Sequence, residues 1–571
     1  MRTWIDGSKW WLSVHQSMVA MALAGLVGCG DMSAESTSNN MAATSHGGTG
    51  TGSGTGADSA PQSNGSPKYS ADVMSGAAGD ASASHADIGP TNQGDKFKPV
   101  GTNPFTLTAA DPLSTFGADV DTASYDLFRR DIGMGQLPQP DSVRLEEWVN
   151  AFKYADPAPA KEDVHPFKIA LEAAPNPVRP GTSLLRIGIK GRPIDDQKKP
   201  TNLVFLVDVS GSMGATNKLP LVKVVLNETL EILDPTDTVS IVTYAGTTAV
   251  KLAPTQAKDK ATISGVVNSL QSGGSTAGAS GITLAYEQAH KAYLEGGFNH
   301  VLLCTDGDFN VGISNTSELV KLIEEKRKTG ITLTALGFGN GNLNDAMMEQ
   351  VSNKGNGVYS VITDADHAIK YVHERMLSNV VYIAKDMKIQ VEFNPKTVKA
   401  YRLLGYEDRA IADQDFKNDL VDAGEVGAGL QVTALYELVL TGAELPAVEG
   451  APSAKTGPDW GGTATVAATD LARVAIRYKQ PGAAETDAAT ETALAVPASA
   501  LLATFEAAST DTQWATAIAA IAEIFKGSPY AVPSALPSLY ATVKANLGSD
   551  PDRQELQVLL EKAAKLLGVT L

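Results

Sequence analysis

Two kinds of apolar pattern alternate along this chain, and they predict two kinds of strand. Leu203 to Val207 is an unbroken apolar run, and His300-Val301-Leu302-Leu303-Cys304 is nearly so. Runs that short and that apolar predict strands buried on both faces, as in a parallel sheet. Between and after them the spacing predicts helices at Lys218–Leu233, Thr276–Tyr293, Thr316–Thr329, Asn344–Asn353 and Asp366–Leu377. Further strands are predicted at Thr238–Tyr244, Thr332–Gly337 and Gly357–Ile362. Strands alternating with helices imply a doubly wound, mainly parallel sheet. The flanks read differently. Phe167–Glu172 and Leu185–Lys190 alternate large apolar residues with polar or small ones. So do the series Met387, Ile389, Val391, Phe393; Leu430, Val432, Ala434, Tyr436, Leu438; and Ala472, Val474, Ile476, Tyr478. Period-two alternation predicts half-buried strands.

Half-buried strands on both sides of a fully buried α/β core imply a small antiparallel β-sandwich interrupted by an inserted domain, an arrangement favoured when the guest's termini lie close together. Helical spacing appears at Leu145, Trp148, Val149 and Phe152, then at Trp514, Ile518, Ile521 and Phe525, and at Leu556, Leu559, Leu560, Ala563 and Leu567 behind an Asp550-Pro551 helix start. The fold class expected is therefore α/β, a doubly wound mainly parallel sheet inserted in a β-sandwich, with a C-terminal helical segment. The divisions expected are 1–29, a leader; 30–95, a tether; 96–199, an N-terminal extension with the first sandwich strands; 200–380, the α/β domain; 381–480, the rest of the sandwich; and 481–571, a linker and C-terminal helices.

The chemistry sits where the buried runs end. Leu203–Val207 is followed by Asp208-Val209-Ser210-Gly211-Ser212-Met213, a D-x-S-x-S spacing of oxygen donors. In an open α/β sheet, ligands bind at the carboxyl ends of strands, and hard oxygen donors suit Mg²⁺ or Mn²⁺, with Ca²⁺ sharing the preference. The Gly273-Gly274-Ser275-Thr276 loop and the strand end Thr305-Asp306-Gly307 bring a further hydroxyl and a further acid. A blander reading makes Asp208 and the serines ordinary helix caps. In this order and spacing, however, the five residues Asp208, Ser210, Ser212, Thr276 and Asp306 resemble the metal-ion-dependent adhesion site of the von Willebrand factor A domain.

That resemblance implies hydroxyls on the cation, acids acting largely through water, and one coordination position left for a partner's Asp or Glu carboxylate. It also implies that partner binding can shift the last helix of the domain, here Asp366–Leu377. Ser114–Tyr125 and Gly135–Trp148 resemble the amino-terminal extension of a bacterial subfamily of secreted von Willebrand A proteins. Asp119 and Asp121 alternate on a strand and read as solvated or capping acids.

Catalysis finds little support. The first strand lacks a Gly-x-Gly-x-x-Gly turn, and Val209-Ser210 stands where an aspartyl phosphatase has a second Asp. No G-x-S-x-G elbow or H-E-x-x-H motif occurs. The glycine-rich Gly337–Asn342 follows a late strand and reads as a loop at the metal-side edge. The expectation is a non-enzymatic binding protein. The alternatives are a structural envelope module whose metal stabilises the fold, and a metal-dependent hydrolase.

The first residues add an address. Arg2 and Lys9 precede an apolar stretch, Met18–Val27, too short for a permanent span. Leu26-Val27-Gly28-Cys29 resembles a lipobox, which implies cleavage before Cys29 and lipid on its sulfur. Gly30 in place of Asp removes the usual inner-membrane retention signal of Gram-negative lipoproteins, so the resemblance implies an envelope protein on the outer membrane, anchored by lipid alone. Gly30 to Gln93 is Ser-, Thr-, Gly- and Ala-rich and cannot bury a core; as a random coil of that length it would reach about 45 Å. A net charge of −18 and a pI of about 4.9 argue against nucleic acid as a partner. With Cys29 carrying lipid, Cys304 has no disulfide partner and reads as a small core residue.

Overall fold

A computed structural model describes residues 94–571 apart from 119, 194–198, 276–277, 308–315, 422, 459, 463–464 and 485, with side chains also omitted at 278 and 279. The leader, the lipobox with Cys29, the tether and Asp119 therefore lie outside the described residues.

The α/β domain is a six-stranded sheet in the spatial order Tyr359–Ile362, Thr332–Phe338, Phe298–Thr305, Thr201–Asp208, Thr238–Tyr244, Thr248–Gln256. All neighbours run parallel except the last pair, which is antiparallel. Every residue of the central strand Thr201–Asp208 is buried. Its alternating side chains feed two separate cores. Leu203, Phe205 and Val207 pack with Val222, Leu226 and Tyr371 on one face. Val204 and Leu206 pack with Ile282, Tyr286 and Leu127 on the other. Helices cover both faces of the strand, which is why its sequence is a continuous apolar run. Two elements are absent from the sequence reading: the edge strand Thr248–Gln256 and the helix Lys260–Ser269.

The sandwich is present. One sheet orders Thr106–Leu107, Val398–Leu404, Gln431–Leu440, Ser183–Gly191, Phe167–Pro175. The other orders Val426–Gly427, Tyr382–Phe393, Asp470–Lys479, Thr490–Pro497, with Leu113–Gly117 paired along Tyr382–Phe393. Strands from before and after the inserted domain mix in both sheets, and Ile187, Ile189, Ile389, Phe393, Tyr436 and Val474 share their core. Two expectations need correction. Thr490–Pro497, whose first residues to Thr492 read as loop from their composition, is an edge strand on Asp470–Lys479. Ser183–Gly191 and Gln431–Leu440 are almost wholly buried, because the outer face of their sheet is covered in turn by helices.

Those helices come from both ends of the chain. Ala123–Gly133 and Leu145–Asn150 of the extension share one core with Thr510–Lys526, Leu536–Ala545 and Pro551–Leu567. Trp148 is the hinge of this core, with ring centroids 4.4 Å from Phe128 and 5.7 Å from Phe525. Leu184 and Leu435 reach into it from the sandwich sheet. Arg402 fastens the same junction: fully surrounded, it donates to Glu437 at 2.8 Å and Glu523 at 2.8 Å and stacks 3.9 Å from the Tyr530 ring. Asp550 caps the last helix through the backbone N–H groups of Asp552 and Arg553, with Pro551 in the first turn, as its sequence requires. Among the described residues no helix is long and apolar enough to cross a membrane.

A candidate metal centre at the carboxyl edge of the sheet

At the end of the central strand the chain leaves the sheet at Asp208, extends through Ser210, and closes a single 3₁₀ turn over Gly211–Gly214 before the helix Leu219–Ile232. The Asp208 carboxylate is completely buried. One of its oxygens accepts from the Ser210 backbone N–H at 2.8 Å, and the other from the Thr305 hydroxyl at 3.2 Å. Thr305 in turn accepts from the Gly307 N–H at 3.2 Å. The acid is thus held by the backbone of its own turn and by the neighbouring strand end. Ser210 is buried and Ser212 exposed, and their hydroxyls converge to 3.0 Å at the rim.

The second glycine-containing loop docks on the same turn. The Gly211 N–H donates to the Gly274 carbonyl at 3.0 Å and the Gly273 N–H to the Val209 carbonyl at 2.8 Å. Thr276, two residues further on, lies outside the described residues. Of the five predicted residues the structure brings four together: Asp208, Ser210, Ser212 and Asp306.

Asp306 is also fully buried. The strand leaves it through Gly307 at φ +89, pressed so close to the next segment that a Cβ there would lie 2.5 Å from the Asn344 nitrogen. The Asp306 carboxylate accepts from the Lys218 ammonium at 2.8 Å. Lys218 also donates to the Asn342 side chain at 3.0 Å, so the glycine-rich loop read as lying at the metal-side edge does border the site. Gly339 in that loop is required: at φ +82, a Cβ there would lie 2.4 Å from the Lys218 Cε.

The two acids differ in electrostatics. Burial pushes the Asp208 carboxyl up to about 6, against the hydrogen bonds of Ser210 and Thr305, and the Asp306 charge adds to the rise. Burial also acts to raise Asp306, but the bonds from Lys218, Ser212 and Asn342 outweigh it and hold that carboxyl below its usual range. Two hydroxyls and two carboxyls, one held low and one lifted to about 6, form a hard, oxygen-only donor set that fits Mg²⁺ or Mn²⁺. Among the described residues no three His, Cys, Asp or Glu side chains cluster as a metal cage, here or elsewhere, so the donor set at this edge rests on hydroxyls beside two acids.

Lys218, Thr305 and Asn342 are the residues that sequence reasoning did not assign. Lys218 carries a signal in retrospect: it stands at a helix N-terminus, where a cation opposes the macrodipole and needs an acid partner. The other candidates resolve as structural. Asp121 is buried, accepts from the Tyr359 N–H at 2.7 Å and pairs with Arg409 at 2.8 Å. Cys304 is buried and its thiol is pushed up by burial, while His300 is lowered to about 3 by burial and bonds Thr332; the two form no nucleophilic pair.

Residues 202–375 match the von Willebrand factor type A domain family, residues 91–186 the family described as von Willebrand factor, and residues 378–566 the C-terminal family of YfbK. The chain is 38% identical over 472 residues to uncharacterized protein YfbK of Escherichia coli (strain K12), covering 81% of this chain and 80% of that one. It is 28% identical over 191 residues to human inter-alpha-trypsin inhibitor heavy chain H3, covering 31% of this chain and 21% of that one. A solved von Willebrand factor type A protein from Catenulispora acidiphila overlays at a TM-score of 0.39 with 14% identity, over 73% of this chain and 91% of that one. The chain belongs to the YfbK family of von Willebrand factor type A domain proteins.

Proposed function

We propose that the protein is a lipid-anchored component of the cell envelope, fixed to a membrane through Cys29, that recognises a protein partner by metal-bridged adhesion. Asp208, Ser210, Ser212, Thr276 and Asp306 would hold Mg²⁺ or Mn²⁺, and an Asp or Glu of the partner would supply the open position. The protein performs no chemistry on that partner. The observation that carries this reading is the meeting of two rim hydroxyls, 3.0 Å apart, above two fully buried carboxylates at one strand edge. A bound cation would supply the electrophile; the chain's own groups orient it. The backbone of Ser210 and the hydroxyl of Thr305 fix Asp208, and the Lys218 ammonium holds Asp306.

A metal serving only to hold the fold is the weaker reading. Asp306 already has a counter-cation in Lys218, and Asp208 has hydrogen bonds to both its oxygens, so each acid has a partner within the chain that can hold the fold when no ion is bound. The two readings separate in a thermal melt of the full chain in EDTA, then with MgCl₂ or MnCl₂. Ser210→Ala should melt like wild type in EDTA and lose the metal-dependent rise, because ligands stabilise only through the native state they bind. A wild type that unfolds in EDTA and refolds only with added metal would move the conclusion to the structural reading, and a full metal-dependent rise in the variant would remove Ser210 from the site.

A further inference from the structure

The geometry points to Lys218 as a built-in counter-cation that sets the charge of the adhesion site, making it weak for a free divalent ion and receptive to an ion that arrives with, or is completed by, an anionic carboxylate. This inference rests on the adhesion reading above and adds the group that regulates it.

Three observations carry it. Lys218 is buried to 7% exposure, and its ammonium reaches Asp306 at 2.8 Å and the neutral Asn342 at 3.0 Å. Its stem passes beneath Gly339, where any side chain would collide with it. It sits at the N-terminal end of the helix Leu219–Ile232, where the helix dipole disfavours a cation. A buried ion pair is a poor source of stability, since desolvation offsets most of the attraction. The pair is nonetheless placed beside the two hydroxyls that would touch the ion.

The charge balance gives the consequence. Among the described residues the acids at this edge are Asp208 and Asp306, and Lys218 cancels one of them. Counted over Asp208, Asp306 and Lys218, a divalent ion then carries the sum to one net positive charge, which a partner's carboxylate neutralises. Without Lys218 the same ion would already be neutralised by the two acids, and the carboxylate would gain less. Lys218 thus transfers affinity from the free ion to the ion–carboxylate combination, and the site discriminates for an anionic partner.

The test is isothermal titration of MnCl₂ into the full-length protein at neutral pH, in chloride and in acetate buffer of equal ionic strength, with acetate as the carboxylate probe. Lys218→Met should bind Mn²⁺ about tenfold more tightly than wild type in chloride, the effect of one unit charge on a divalent ion several ångströms away in a water-like medium. Acetate should tighten Mn²⁺ binding to wild type more than to Lys218→Met, a difference that a merely structural lysine would not produce. Lys218→Arg, which keeps the charge, should behave as wild type. Asn342→Asp serves if Lys218→Met fails to fold, because it neutralises the ammonium in place; it should also raise affinity in chloride.

If wild type binds Mn²⁺ and the charge-neutralising variants bind it no more tightly, this inference is overturned while the adhesion reading stands. If wild type and every folded variant bind no Mn²⁺ in either buffer, the adhesion reading itself fails and takes the inference with it.

Discussion

Asp208→Asn should stabilise the metal-free protein at neutral pH while abolishing its response to metal. The wild-type carboxyl is wholly buried and lifted from 3.8 to about 6. A shift of about two units corresponds to about 3 kcal/mol between its protonation states. The folded state binds this proton more tightly than the unfolded chain does. The contribution of protonated Asp208 is therefore fully present below about pH 4 and is lost as pH rises through 6. At pH 8 the ionised acid costs the metal-free fold about 3 kcal/mol. An amide keeps an oxygen for the Ser210 N–H and carries no charge. Urea unfolding of the full chain in EDTA from pH 4 to pH 8 should give coincident stabilities at the acid end and a variant more stable by about 3 kcal/mol at the alkaline end. Asp126, also near 6 from burial, titrates in both proteins and cancels in the difference. Added MnCl₂ should stabilise wild type alone. A constant offset across the pH range, or a variant less stable at pH 8, would show that Asp208 is not held as a costly buried charge and would remove the electrostatic case for a cation there.

Arg402→Met should destabilise the protein by roughly 3–5 kcal/mol in urea unfolding, because it strands Glu523 and part of Glu437 in a buried junction. Converting Glu523 to Gln in the same chain should recover part of that loss. Hydrogen–deuterium exchange across 365–393 should be the same in EDTA and in saturating MnCl₂ with acetate for wild type, and should become metal-sensitive in a Lys370→Ala, Arg375→Ala double variant; metal-sensitive exchange in wild type would show that the contacts of Lys370 with Asp552 and of Arg375 with Ala151 do not brace this segment.

The legible parts of this molecule are those written in contiguous residues. The run Leu203–Val207 and its D-x-S-x-S ending lie on one strand and one turn, so burial and donor spacing can both be read directly. Thr248–Gln256 could not be read in this way. It is an edge strand of mixed burial, and the following helix Lys260–Ser269 buries only Ile263 and Val267, too few to print a helical period. Half of Thr490–Pro497 is Thr and Ala, and its Leu494 is 44% exposed, a composition that reads as loop. Lys218 and Asp306 are separated by 88 positions, and only the parallel sheet brings their two elements to one edge. The shared core of Trp148 with Phe525 has the same origin: each helix shows an apolar stripe, but the stripe does not say which partner covers it.

That shared core changes what the resemblance to other A domains implies about the last helix. It runs from Ala365 to Tyr371, passes through a π-turn at Val372–Met376 and continues over Leu377–Val380 into the sandwich strand Tyr382–Phe393. A π-turn is a natural place for register to change. Yet nearly every residue around it is held from outside. The Arg375 guanidinium donates to the Ala151 carbonyl at 2.7 Å, Glu374 pairs with Lys153 at 2.7 Å, and Lys370 pairs with Asp552 on the last C-terminal helix. The Thr229 hydroxyl donates to the Met376 sulfur at 3.1 Å from the first helix of the domain. An axial shift of even one turn, about 5.4 Å, would break these contacts together, and the extension and C-terminal helices would have to leave their common core to follow. Surface pairs such as Glu374–Lys153 resist weakly, but the Arg375 bond is half-buried and anchored to backbone. In this chain the elements added around the A domain act as a brace on the helix that its resemblance marks as movable. The proposed adhesion site would then exchange ligands on a rigid frame, with its selectivity set at the rim by charge and not by a moving helix.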